Sequence, residues 1–159
     1  MKRHGVLKRE KAMTDRHEML DVITRSTVCR LGLVDGNEPY IVPLCFGYLD
    51  DVLYFHAGER GRKLSVIERN DRVCVEFDVD TAVVAGDEPC SWTMRYRSVV
   101  GFGRASLVTG YDEKQRALAV IMDHYSAVKS NYLFPRDRVE KTRIIRIDIE
   151  YLTGKKSGC

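Results

Sequence analysis

At 159 residues the chain is the size of one domain and long enough to build a core without disulfide or metal staples. Hydrophobic residues make up 44% and charged residues 31%, the balance of a globular protein and not of a disordered one. The net charge of +3 is too small to imply nucleic acid, and no apolar run approaches the ~20 residues of a membrane span.

Residues 1–12 read as a flexible basic arm carrying Lys2, Arg3, Lys8, Arg9 and Lys11. The arm has no interleaved aromatics to stack on bases, so a solvated tail is the better reading than a nucleic-acid contact. No apolar stretch follows it, so it is not a secretory signal, and a cytoplasmic protein is expected. Residues 13–159 are read as a single domain. A helix is predicted from Asp15 to Thr24, with Asp15 and Glu18 at capping-box spacing and Met19, Leu20, Val22 and Ile23 on an apolar side.

Val28 to Val34 reads as the first strand, and Asp35-Gly36-Asn37-Glu38-Pro39 as a turn. Tyr40 to Leu49 is the second strand, interrupted by Pro43. A proline cannot donate to a ladder, so Pro43 marks an edge, a bulge or a gap in pairing. Asp50-Asp51 turns the chain into a third strand, Val52 to His56, and the three are expected to form a meander.

The next stretch organises the rest. Strand residues run into Gly58 and Gly61, and a short helix begins at Arg62-Lys63. Glycines let backbone amides approach a ligand, and a helix N-terminus carries about half a positive charge. Two cationic side chains at the same place make a phosphate seat. His56 stands just upstream, where the other end of such a ligand would lie.

After the helix, Arg72 to Asp80 is a strand with Val73, Val75, Phe77 and Val79 on one face. Asp87-Glu88-Pro89 is a loop. Trp92 to Val108 reads as a long strand that bends at Gly101 and Gly103. A helix is predicted from Asp112 to Ser126, with Ala117, Leu118, Ile121, Met122 and Tyr125 as a core or interface stripe. Thr142 to Tyr151 makes the last strand, and Thr153 to Cys159 a polar, mobile tail. The sum is mainly β, about six antiparallel strands with inserted helices, best closed as a small barrel. The five cysteines include no CxxC pair, and with the four histidines they fit no metal-ligand spacing, so reduced thiols and no metal are expected. Cys29, Cys45 and Cys74 lie in apolar strand patterns and read as small buried hydrophobes.

Several ordered pieces resemble one family. They are Pro39-Tyr40-Ile41-Val42-Pro43-Leu44, Leu53-Tyr54-Phe55-His56, Gly61-Arg62-Lys63-Leu64, Asn70-Asp71-Arg72-Val73-Cys74, Tyr96 to Ala105, and Leu152 to Ser157. From about Met13 onward the chain is similar to the FMN-binding split barrels related to pyridoxamine 5'-phosphate oxidase, the nearest branch being the nitroimidazole-resistance (Nim) type. The resemblance implies a homodimer with flavin at the subunit interface. It implies that Val42, Pro43, Leu44 and Cys45 line the flavin ring, that Phe55, His56 and Ala57 continue the pocket, and that Arg62 and Lys63 hold the phosphate. Arg97, Ser98 and Val99 are implied to contact the same flavin. The vitamin-forming oxidases carry C-terminal substrate segments rich in Arg and Trp; this sequence has Trp92 alone, so pyridoxamine phosphate is not the expected substrate.

An FMN-dependent oxidoreductase is therefore expected, passing electrons to a small acceptor such as a nitroimidazole. His56 is its candidate catalytic residue or else a structural contact to the cofactor. The alternative is a flavin-binding sensor or carrier without turnover. Haem ranks lower, because only His4, His17, His56 and His124 could serve as axial ligand.

Overall fold

The computed structural model describes residues 9–128 and 130–158. Eight strands form one sheet: β1 (Ala12–Met13), β2 (Cys29–Asp35), β3 (Glu38–Leu44), β4 (Gly47–Leu49), β5 (Val52–Ala57), β6 (Arg72–Val84), β7 (Thr93–Val108) and β8 (Arg143–Ser157). Their order is β3-β2-β6-β7-β8-β5-β4, with β1 paired to β8, and every pairing is antiparallel. The helices are α1 (Arg16–Arg25), α2 (Arg62–Arg69), α3 (Tyr111–Tyr125) and α4 (Arg136–Lys141).

This order corrects the expected meander. β3 and β4 follow each other in the chain yet stand at opposite ends of the strand path, and β5 pairs with β4 and β8. The predicted second strand breaks at Cys45-Phe46, where the chain leaves one edge of the sheet for the other. The barrel is thus split, and eight strands replace the expected six or so. Pro39 and Pro43 both lie on the edge strand β3, where a missing N–H leaves no gap in a second ladder.

Alternation sets the interior. Leu31, Leu33, Leu53, Phe55, Val73, Val75, Phe77, Val99, Ile145 and Ile147 turn inward and join one buried cluster. Val22 and Ile23 bring α1 onto it, and Leu64, Val66 and Ile67 bring α2. The α3 helix covers the outside of β5 and β8, burying Ala117 and Ile121 against Tyr54, Val108 and Ile144. Gly47 makes this possible: a Cβ there would lie 2.6 Å from the Ile121 nitrogen and 2.7 Å from the Val120 carbonyl. At Gly103 a Cβ would fall 2.2 Å from the Asp148 carbonyl oxygen, beside the bulge that shifts the β7–β8 register.

The ends of the chain also differ from expectation. Arg9–Lys11 forms a 3-10 turn and Ala12 pairs with Lys155, so this part of the arm is bound to the sheet; residues 1–8 lie outside the described ones. The supposed tail is strand: β8 runs to Ser157 and pairs with β7 as far as Tyr96. Only Cys159 of that stretch lies outside the described residues. Lys156 explains why a polar sequence stays ordered, since its amine reaches Glu18 on α1 at 2.7 Å. Glu18 is therefore spent on an ion pair and closes no capping box, while Asp15 caps α1 by accepting from the His17 N–H at 2.8 Å.

Candidate functional site

The residues assigned to the flavin ring lie at the end of β3 and along β5. On β3, Val42 and Leu44 pack against the core while Pro43 and Cys45 point out. On β5, Phe55 and Ala57 are buried and His56 is exposed. The β4–β5 ladder stops at Gly47 opposite Tyr54, so Cys45-Phe46 and Phe55-His56 leave it side by side. Tyr54 shares the outward face of β5 with His56, but α3 covers Tyr54 and ends short of His56. Pro43, His56 and Cys45 thus present the exposed face that the sequence reading assigned to the flavin. Of the buried residues in that assignment, Phe55 has no side-chain surface to offer a ligand. Cys45 also departs from expectation, being an exposed free thiol, whereas burial pushes the Cys29 and Cys74 thiols up.

The connection from β5 to α2 has the properties of a phosphate seat. Gly58 and Gly61 face open space, with nothing within 4 Å of a Cβ placed on either. Gly61 has φ 158° and ψ 154°, a conformation reached almost only by glycine. The first turn of α2 has no side-chain cap and no acidic residue; the Leu64 N–H donates to the Gly61 carbonyl at 3.0 Å, and the helix dipole is left uncompensated by any acidic side chain of that turn. Lys63 follows, partly buried and without an ion-pair partner among the described residues.

Arg62 behaves differently from what its sequence position suggests. Its Nε donates to Asp35 Oδ2 at 3.0 Å and its Nη2 donates to Glu38 Oε2 at 2.7 Å. The guanidinium lies 4.7 Å over the Tyr40 ring. Asp35 also accepts from Arg69 at 2.6 Å, and the two guanidinium groups hold its carboxyl below the usual range. Arg62 is therefore part of a clamp between α2 and the β2–β3 turn. Asp35 and Glu38 were read only as turn residues and Tyr40 only as the start of a strand. From that clamp β3 runs about 20 Å to Leu44, at ~3.3 Å per residue.

A second device fixes the ring-side segment. The Tyr125 hydroxyl accepts from the Phe46 N–H at 3.0 Å and donates to the Thr27 carbonyl at 2.9 Å. Burial pushes this phenol up to about 12, so it stays a neutral donor at physiological pH. His124 packs its ring 4.2 Å from that of Phe46 and meets the Ser26 carbonyl at 2.7 Å. The predicted stripe on α3 included Tyr125 but gave no sign that its hydroxyl ties the β3–β4 connection to the segment after α1.

The assigned residues on β7 do not join this site within one chain. Val99 pairs with Gly154, and His56 pairs with Ile144, ten positions back along β8. That is roughly 33 Å of strand. Val99 is buried in the core. Arg97 faces α1, 3.8 Å from Asp21 and 3.7 Å from Asp80. Ser98, opposite Asp78 and Lys155, lies on the outer face of the sheet.

With a split barrel and an open glycine loop beside a cationic helix start, the architecture is that of the flavin-binding split barrels. Residues 15–156 match the family described as pyridoxamine 5'-phosphate oxidase, and the chain belongs to that family. Its structure is similar to that of a candidate 5-nitroimidazole antibiotic resistance protein from Bacteroides thetaiotaomicron, with a TM-score of 0.81 and 30% identity over 91% of this chain and 85% of that one. It shares its fold with the flavocytochrome Anf3 of Azotobacter vinelandii, at TM-score 0.84 and 18% identity over 98% of this chain and 73% of that one. It shares it also with an FAD-binding protein of Mesorhizobium loti, at TM-score 0.67 and 24% identity over 93% and 98%. No curated protein matches the sequence. No helix among the described residues is long and apolar enough to cross a membrane.

Proposed function

We propose that the protein is a homodimeric FMN-binding oxidoreductase that passes electrons from a reduced donor to a small acceptor, with nitroaromatics such as nitroimidazoles as the acceptor class. The observation that carries this reading is the uncapped start of α2, with open glycines and an unpaired Lys63, reached directly from β5 and its exposed His56. The donor set fits a phosphomonoester: amides, a helix dipole and one free ammonium. The similarity to the Bacteroides protein supports the acceptor class.

FMN, when bound, supplies the hydride and electron chemistry. The chain's residues do the rest. Lys63 and the amides that follow Gly61 hold the phosphate, and Arg62 adds its unengaged Nη1. The backbone of Val42 to Cys45 is held in place by Tyr125 through the Phe46 N–H. His56 presents an exposed imidazole beside the ring segment, where it can donate or accept a proton.

A second copy completes the site in this reading. The outer face of the sheet carries a row of Ile41, Gly32, Cys74, Phe102 and Tyr151 across five strands. Ile41 is 67% exposed, and Ile41, Gly32, Cys74 and Phe102 line a groove of about 320 Å³. Phe102 also stacks on Tyr151 at 4.9 Å. An apolar face of this size suits burial against its own copy, and dimerisation brings the partner's Ser98 face within reach of the flavin.

The test is to purify the protein, record its absorbance and identify any cofactor released on denaturation. Steady oxidation of NADH or NADPH should then be followed with a nitroimidazole added. A flavin spectrum, FMN in the supernatant, and turnover that drops in a His56→Ala protein still loaded with FMN are expected. FMN binding without turnover from either nicotinamide would overturn the catalytic reading. A colourless protein that takes up no added FMN would overturn the whole assignment.

A further inference from the structure

We infer that two copies of this chain pack outer sheet face to outer sheet face with their strands reversed, so that the projecting β6–β7 arm of each covers the candidate site of the other. The inference rests on the flavin-site reading above and goes beyond it by assigning an arm, residues 82–95, to the partner's site. β7 pairs with β8 only as far as Tyr96, and β6 pairs with β2 only as far as Glu76. Past those positions β6 and β7 have each other alone, with Ala82 on Arg95, Val83 on Met94 and Val84 on Thr93. A two-stranded ribbon is marginal in water without a surface to lie on. This one exposes the large apolar side chains of Val83, Val84, Trp92 and Met94.

Alternation along β7 puts Met94 and Tyr96 on the outward face with Phe102, because Val99, Gly101 and Gly103 turn inward. The arm thus continues the apolar row of Ile41, Gly32, Cys74, Phe102 and Tyr151. β6 is the middle strand of that row. On its outward face Arg72 and Glu76 stand two positions to either side of Cys74. Two-fold packing of this face on itself has two forms. With the axis along β6, Arg72 meets the partner's Arg72 and Glu76 meets the partner's Glu76. With the axis along the row the strands reverse, and Arg72 meets the partner's Glu76, which charge favours. The same reversal fixes where the arm lands. Six positions from Phe102 toward the arm is Tyr96, and six the other way is Val108, whose ladder partner Ile144 also pairs with His56. The partner's Tyr96 therefore arrives at the level of His56, with the partner's Met94 and Val83 next along the arm. These are apolar side chains, the kind that make up most of a cofactor pocket's wall.

The test measures assembly by sedimentation and FMN affinity by quenching of flavin fluorescence. The parent should be a dimer. In Val83→Asp/Met94→Asp, FMN should bind at least about fivefold more weakly, with the circular dichroism unchanged. Within one chain Tyr96 and the level of His56 are about 40 Å apart along β7, so a folded variant weakened in this way already requires a second chain. The decisive sample is a hybrid, co-expressed with two tags, in which one chain carries Lys63→Ala and the other the arm substitutions. Arms that act across the interface leave one of its two sites intact, so half of its sites should bind FMN with the parental affinity. Trp92→Ala/Met94→Ala replaces the acidic pair if that variant does not assemble. With FMN bound by the parent, a monomeric parent, an arm variant that binds FMN as the parent does, or a hybrid with no parental site would overturn the inference and leave the phosphate seat standing. A parent that takes up no FMN would overturn the flavin-site reading, and the inference with it.

Discussion

The two ends of the barrel solve the same problem of surplus charge in opposite ways. At the α1 end, charges cancel in a closed network. Arg25 bridges Asp21 and Asp80, Arg97 approaches the same two carboxylates, and Lys156 pairs with Glu18. At the α2 end, Arg62 and Arg69 are held by Asp35 and Glu38, but Lys63, Arg60 and the His56 side chain have no partner among the described residues. The first end is built for the fold, the second is left incomplete. Incompleteness beside open glycines marks a site better than any one residue type does, because unpaired charge and uncapped amides are stable there only while water, or a ligand, satisfies them.

Substitutions can break or sharpen this contrast. The largest effect is expected at the closed end. Ile23 is the fully buried side chain by which α1 joins the core, and Ile23→Ala should lose about 2–5 kcal/mol in chemical denaturation. FMN affinity measured on the folded fraction should be unchanged. A parallel loss of affinity would mean that the two ends are mechanically linked. Lys63→Ala should do the reverse. Its melting temperature should stay close to that of the parent, while FMN binding weakens at least tenfold, about 1.4 kcal/mol.

Tyr125→Phe tests the junction between the ends and should lose roughly 1 kcal/mol for its hydrogen bonds. It also carries a pH signature. The folded phenol titrates at about 12, above the ordinary tyrosine value near 10, so its contribution is fully present below pH ~10 and is lost as pH rises through 12. Stability of the parent should fall over that window more steeply than that of Tyr125→Phe. The smallest effect is expected from Arg25→Ala. That side chain is exposed and its ion pairs are screened by solvent, so the loss should be the smallest of the series and shrink further in high salt.

Much of this was legible in the sequence. Alternation located β2, β5 and the buried face of β6, and Pro43 marked an edge because a proline has no N–H to give. Gly58, Gly61, Arg62 and Lys63 marked, through backbone geometry and charge, the stretch proposed as the phosphate seat, and the structure leaves both glycines in open space. Partners distant in sequence were not legible. Arg62 looked free because the carboxylates that hold it lie 24 and 27 residues away across a turn. β8 looked like a tail from Thr153 because its lysines are polar, and only Glu18 and the facing β7 make them strand residues. Arg97, Ser98 and Val99 were assigned to the flavin through the family resemblance, whereas the register sets them far along β8 from His56 within one chain.

The position of β8 in the strand path has a consequence for how the chain comes to be folded. β8 lies between β7 and β5, and β5 has no other neighbour than the short β4. During synthesis, β2, β3, β6 and most of β7 can pair as they emerge. β5, together with the exposed His56, must wait for a strand made almost ninety residues later. Until then its apolar inner face is an open edge, the kind of surface that chaperones and aggregation compete for. The site end of this protein is thus the last part to acquire its shape, and a ribosome that stalls before β8 releases a chain with a partial sheet and no place for a cofactor.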